Sequence, residues 1–126
     1  MTNHLELYRC EICGNIVQVM HIGAGELVCC GKPMTLLKPY TKENEKQEKH
    51  VPVFIENKIQ VGSEPHPMIE EHHIDFIQSI TEDRKTIKTH FLRVSDEPYM
   101  NINNDIEFSS ALEYCNIHGL WQGNKQ

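Results

Sequence analysis

From His50 onward, apolar residues recur at close to every second position. Val51, Val53 and Ile55 alternate with other residues, and Lys58 to Val61 continues in the same style after Asn57. Ile74, Phe76 and the stretch from Ile77 to Ile80 form another apolar-rich run. Thr86 to Val94 alternates again through Ile87, Phe91 and Leu92, and Ile106, Phe108 and the stretch from Ala111 to Tyr114 lead into Cys115. A period of two puts alternate side chains on one face of a strand. Short strands rich in β-branched residues, with turn signals every ~8–12 residues, predict an all-β sandwich or barrel. No window carries the period of a long amphipathic helix.

The first 36 residues read differently. Leu5 and Leu7 alternate with polar neighbours, Cys10-Glu11-Ile12-Cys13-Gly14 makes a tight turn, and Ile16, Val17 and Val19 predict a short strand. Gly23-Ala24-Gly25 is a turn, after which Leu27 and Val28 lead into Cys29-Cys30-Gly31. A unit of this size cannot fold on apolar burial alone; below ~40 residues a metal, disulfides or oligomerisation is needed. The cysteines are the expected source of its stability. Residues 37–49 read as a linker, because Pro39 interrupts regular structure and Thr41 to Lys49 is polar and charged. The organisation expected is a small metal domain over 1–36, the linker over 37–49, and a β-sandwich over 50–126.

Composition narrows the function classes. The chain has 126 residues, 39% of them hydrophobic, and no stretch approaches the ~20 apolar residues of a spanning helix. Met1 to Arg9 holds no apolar run, so no secretory signal is expected and the expected location is the cytoplasm. The formal net charge of -6 argues against nucleic acid as a partner, since such domains present a basic face. An odd count of five cysteines, two of them adjacent, favours metal or redox chemistry over a disulfide framework.

All five cysteines fall in two sets. Cys10, Cys13, Cys29 and Cys30 offer four thiolates in one small segment, which suits a tetrahedral sulfur-only site. Cys10 and Cys13 follow the C-x2-C spacing that turns two sulfurs towards one ion. The adjacent Cys29 and Cys30 depart from the usual second C-x2-C and must splay apart to bind with them. Spacing alone leaves zinc and iron equal candidates here.

The second set is Cys115 with histidines that open at His50. One thiolate among several imidazoles suits a metal with an open coordination position. His66 and His72 would stand ~20 Å apart in an extended strand, too far to share an ion. Pro65 and Pro67 flank His66, so a loop that turns back is expected. Cys115 and His118 would face opposite ways in a strand, but Asn116 and Gly119 supply a turn. His72 and His73 are adjacent, so only one is expected to ligate. His4, His21, His73 and His90 are expected to be surface or hydrogen-bonded residues.

These residues resemble the desulfoferrodoxin family, the two-iron superoxide reductases. Glu48-Lys49-His50-Val51-Pro52 resembles the family's E-K-H-x-P segment. Gly62-Ser63-Glu64-Pro65-His66-Pro67-Met68, followed by His72, resembles its G-S-x-x-H-P-M loop with the histidine six residues on. Cys115-Asn116-Ile117-His118-Gly119-Leu120-Trp121 resembles its C-N-x-H-G-x-W terminus, and the N-terminal cysteine pattern resembles desulforedoxin. The resemblance covers nearly the whole chain; His73 departs from it, standing where the family often has an aromatic residue.

The resemblance implies a mainly β protein, with a desulforedoxin-like domain carrying an Fe(Cys)4 centre and an immunoglobulin-like β-sandwich carrying the active iron. It implies Cys10, Cys13, Cys29 and Cys30 as ligands of the first centre. It implies His50, His66, His72 and His118 as equatorial ligands and Cys115 as the axial ligand of the second. It implies one-electron reduction of superoxide to hydrogen peroxide as an oxidative-stress defence, a rubredoxin-like electron donor, and a homodimer. Lys49 would attract superoxide and help position a protonating water, and Glu48 would bind ferric iron once peroxide has left. The rival readings are a dismutase, an electron carrier whose second iron is coordinatively filled, and a zinc-stabilised binding module.

Overall fold

The computed structural model describes residues 1–44, 49–103 and 105–126. Among them every regular element is a strand, so the mainly β reading holds. The chain divides into two compact units, Met1–Lys38 and Pro39–Gln126.

The first unit has five short strands: β1 (Leu7–Arg9), β2 (Ile16–Gln18), β3 (Val28–Cys29), β4 (Lys32–Pro33) and β5 (Thr35–Leu36). β1 lies between β2 and β5, antiparallel to both, and β3 and β4 form a separate hairpin. Leu5, Leu7, Cys10 and Val19 are its buried apolar residues, while Ile12, Met20, Ile22 and Val28 are exposed. So little burial cannot offset the ordering entropy of the segment. The remaining stabilisation falls to the sulfur cluster.

The second unit contains β6 (Pro52–Ile55), β7 (Lys58–Val61), β8 (Ile74–Thr81), β9 (Ile87–Phe91), β10 (Tyr99–Asn101), β11 (Phe108–Cys115) and β12 (Gly119–Asn124). One sheet has the order β10-β7-β6 and the other β12-β11-β8-β9, with all pairings antiparallel. Ile59 and Val61 of the first sheet meet Ile74, Ile77 and Ala111 of the second in one buried cluster, joined by Leu92, Met100 and Cys115. Alternation explains the inward set: Ile59 and Val61 are buried while Lys58 is exposed. β12 packs against β6 because Gly123 has no side chain; a Cβ there would overlap the Pro52 carbonyl and sit 3.2 Å from Val51 Cγ1.

The alternation in 51–61 and 86–94 and the apolar run over 74–80 correspond to β6 through β9, and the stretch leading into Cys115 to β11. In this unit two strands went unpredicted, as β4 and β5 did in the first. β10 is short, and β12 (Gly-Leu-Trp-Gln-Gly-Asn) contains two glycines that weaken any local strand preference. It forms because β11 offers a complete ladder, from Ser110↔Asn124 to Cys115↔Gly119. Part of the segment read as a solvated linker is also engaged. The Tyr40 N–H donates to the Leu120 carbonyl at 2.9 Å, and the Gln122 N–H donates to the Tyr40 carbonyl at 2.8 Å.

Candidate metal centres

The four sulfurs of Cys10, Cys13, Cys29 and Cys30 lie within 4.8 Å of one another. Cys13 Sγ is 3.5 Å from Cys29 Sγ, and Cys29 Sγ is 3.9 Å from Cys30 Sγ. Four sulfurs set tetrahedrally about 2.3 Å from one ion stand about 3.8 Å apart, so the set fits a single metal. The adjacent pair converges through backbone geometry: Cys30 adopts φ 54° and Gly31 φ 74°, two successive left-handed residues that cancel the strand alternation. On the other arm, the Cys13 N–H donates to Cys10 Sγ at 3.4 Å. This bond, with a second from the Ile12 N–H, lowers the Cys10 thiol to about 6. The sulfurs of Cys13, Cys29 and Cys10 push the Cys30 thiol up to about 12, and Cys29 is raised chiefly by Cys13 and Cys10. One ready thiolate beside crowded thiols is the electrostatics of a site completed by a cation.

The second set is assembled from three places. His50 enters just before β6, His66 and His72 stand on the loop between β7 and β8, and Cys115 and His118 flank the turn between β11 and β12. Their ligand atoms lie within 4.8 Å of one another. The imidazoles close a square: ring centroids are 4.7 Å apart for His50–His66, 4.7 Å for His66–His72, 5.1 Å for His72–His118 and 4.9 Å for His118–His50. His50 Nε2 and His66 Nε2 are 3.1 Å apart. Nitrogens at right angles about an ion, each about 2.1 Å from it, stand about 3.0 Å apart. This donor set therefore also fits one metal, with a soft thiolate on one side and four imidazoles around it. Both sets fit the iron centres of desulfoferrodoxin.

The surroundings orient these donors. His66 Nδ1 is 2.8 Å from the Pro67 carbonyl, which can only accept, so Nδ1 carries the proton and Nε2 presents its lone pair. The His118 N–H donates to Cys115 Sγ at 3.4 Å. His50, His66 and Cys115 are buried, whereas His72 and His118 are half-buried. The set thus sits on the core through its sulfur and approaches solvent through two of its imidazoles. Lys49 is half-buried and directly precedes His50; Glu48 lies outside the described residues. Of the histidines expected to stay apart from a metal, His4, His21 and His90 are exposed, and His73 pairs with Asp75 at 2.9 Å.

Four residues around this set have roles the sequence reading did not assign: Glu43 and Glu113 were not singled out, and Trp121 and Asn116 were named only within the C-terminal motif and its turn. Trp121 stacks on His50 with centroids 4.6 Å apart and an 11° interplanar angle, and its Nε1–H donates to the His118 carbonyl at 3.1 Å. Glu43 accepts the His50 N–H at 2.7 Å and the Val51 N–H at 3.1 Å, one on each carboxylate oxygen. Glu113 is fully buried, and neither of its carboxylate oxygens makes a hydrogen bond among the described residues. Burial, and then the charge of Glu43, push its carboxyl well above the usual carboxylate range. Asn116 bridges two ligand-bearing segments, as developed below. A charged residue inside the apolar run from Ala111 to Tyr114 was the one available signal for Glu113.

Comparison with known proteins agrees with this geometry. Residues 2–37 match the family described as "Desulfoferrodoxin, N-terminal domain", and residues 42–124 match "Desulfoferrodoxin". A desulfoferrodoxin homolog of Archaeoglobus fulgidus is 46% identical over 97% of this chain and 98% of its own. A desulfoferrodoxin of Nitratidesulfovibrio vulgaris is 44% identical over 97% of this chain and 98% of its own. Among solved structures, the superoxide reductase of Treponema pallidum superimposes with a TM-score of 0.75 at 26% identity, covering 96% of this chain and 98% of that one.

Proposed function

The chain belongs to the desulfoferrodoxin family, and from that premise we propose that it is a superoxide reductase. It consumes one superoxide, one electron and two protons and releases one hydrogen peroxide. The observation that carries this is the closed square of four imidazoles with a buried cysteine on its core side. A metal held by these five donors would keep room for a small anion. The superoxide reductase of Treponema pallidum, which this chain resembles, supplies the substrate class.

In this reading His50, His66, His72, His118 and Cys115 would hold the catalytic iron, and Cys10, Cys13, Cys29 and Cys30 would hold the second. Iron bound by the histidine–cysteine set would supply the electron, and the Cys115 thiolate would raise the electron density available there. The protein does the rest. The hydrogen bond of His66 to the Pro67 carbonyl fixes the tautomer that presents Nε2. The His118 N–H at the Cys115 sulfur moderates the donor strength of the thiolate. Trp121 covers one face of His50 and keeps water from that side. Lys49 offers the cation that draws an anion towards an otherwise acidic chain, and it holds a water from which protons reach the product. Glu48 would offer a carboxylate to the site once the product has left.

The electron comes from a small one-electron carrier of the rubredoxin kind. The protein works in the cytoplasm as a homodimer and serves detoxification and electron transport. No described helix is long and apolar enough to cross a membrane.

The test is product stoichiometry on iron-loaded, pre-reduced protein given a calibrated pulse of superoxide. One peroxide per superoxide, no oxygen, and iron oxidised in step is the expected result. Half that peroxide with oxygen evolved and the iron unchanged means dismutation. No reaction at full iron occupancy leaves an electron carrier.

A further inference from the structure

His72 and the Cys115–His118 turn come from segments far apart in sequence, and both must stay in place for the donor set to remain complete. The ladder between β8 and β11 does not reach far enough to do this. It ends at the pair Cys115↔Ile74, with an irregularity between Tyr114 and Cys115. Beyond that point the backbone of β11 turns away towards His118, and His72 lies in a tight turn of its own. In that turn the Ile69 N–H donates to the His72 carbonyl at 3.0 Å, and the His72 N–H donates to the Ile69 carbonyl at 3.1 Å.

Asn116 spans the gap. Its Oδ1 accepts the His73 N–H at 2.8 Å, its Nδ2 donates to the Glu71 carbonyl at 3.1 Å, and its backbone N–H donates to the His73 carbonyl at 3.1 Å. The bonds land on the residues immediately before and after His72. A side-chain amide offers the same donor and acceptor as a peptide group, so it can carry the pairing past the last main-chain bond, the one from the Asn116 N–H to the His73 carbonyl. The far side of the turn is held as well: the His73 ring lies between the Ile69 carbonyl at 3.0 Å and Asp75 at 2.9 Å.

We propose that Asn116 is a positioning residue that fastens the His72 turn to the Cys115–His118 turn and so keeps the fourth imidazole in the donor set. This rests on the metal-centre reading above. Outer residues that orient ligands set metal affinity, and their loss costs about 10–100-fold. No other side chain is needed to make the argument, because the bonds bracket His72 on both sides.

The experiment is cobalt(II) loading of the full chain, read by the hyperfine-shifted imidazole N–H resonances that only histidine ligands produce, with affinity measured by chelator competition. In Asn116→Ala the resonance that is also missing from His72→Ala is expected to be lost or broadened. Its cobalt affinity at this set is expected to fall about 10–100-fold. Should the alanine variant not fold, Asn116→Asp carries the test. It keeps the volume and the acceptor for the His73 N–H but sets an oxygen against the Glu71 carbonyl, so the same resonance is expected to broaden with a smaller loss of affinity. A parental spectrum and affinity in the variant that folds overturns the role of Asn116 alone. Absence of any histidine-ligand resonance in the parent protein overturns the metal-centre reading itself.

Discussion

Gly62→Ala tests whether the approach of the chain to His50 is set by backbone packing. Gly62 stands at φ +74°, and an added Cβ would lie 2.7 Å from Lys49 Cβ and 2.8 Å from Lys49 C, overlapping the Lys49 carbonyl oxygen. Carbon contacts settle at about 3.5–4.0 Å, so the Lys49 backbone must retreat by about 1 Å. The Gly62 N–H donates to the Val51 carbonyl at 3.2 Å, so Gly62 is held against the same segment from which it would have to move away. The left-handed conformation costs an alanine about 1–2 kcal/mol. Overpacking adds about 1–3 kcal/mol. The expected destabilisation is therefore about 2–5 kcal/mol. Because Lys49 leads directly into His50, a displacement of about 1 Å is also expected to slow the reaction with superoxide by about 100-fold. Denaturant unfolding measures the first quantity, and pulse radiolysis of the pre-reduced iron protein the second. Gly119→Ala is the comparison: it has φ +87°, but its nearest foreign atom is Tyr40 Cε2 at an ordinary 3.8 Å. It should lose only the conformational part. Equal losses of stability in the two variants, or a Gly62→Ala protein as stable as its parent, refutes the packing argument.

Other outcomes follow from the same geometry. Lys49→Ala is expected to lower the bimolecular rate with superoxide about tenfold at low ionic strength and to flatten its salt dependence, with Lys49→Arg restoring both; an unchanged rate removes the steering role. Metal entering the four-cysteine site at pH 7 is expected to release at least the protons of Cys29 and Cys30, whose thiols are raised, whereas Cys10, at about 6, is already largely thiolate. An indicator dye reads the release, Cys30→Ser lowers it by one, and affinity falls as pH falls because protons compete with metal. For Glu113 the folded-state value lies above the ordinary 4.5. The folded metal-free protein therefore holds a proton that the unfolded chain gives up, and stability declines as pH rises above that ordinary value. Glu113→Gln is expected to remove this decline and to melt above its parent at pH 8 but close to it at pH 4; parallel melting curves against pH would contradict the burial argument.

Donor chemistry and strand alternation are local properties, and both were legible along the chain. Thiolate and imidazole are properties of single residues, so the presence of a sulfur-only set and a mixed set could be read without a fold. The motif from Cys115 to Trp121 carried the family resemblance, which the comparisons establish. The period of two placed Ile59 and Val61 on one inward face because a strand has only two sides. Ile74 and Ile77, of opposite parity, both reach the core across the irregularity in the β8–β11 register, which alternation alone does not foretell. What tertiary structure decided is which groups meet. β12 exists because β11 offers hydrogen bonds to a glycine-rich segment that has little strand preference of its own. The closed square of imidazoles depends on three segments converging, and Asn116 and Glu43 hold those segments with bonds to backbone groups that no side-chain pattern announces. Glu113 shows along the chain only as a charge inside an apolar run; folding removes it from water and leaves its carboxylate oxygens without hydrogen bonds among the described residues. Identity of the chemistry is written residue by residue, whereas its environment is a sum over contacts distant in sequence, and that sum exists only once the chain has folded.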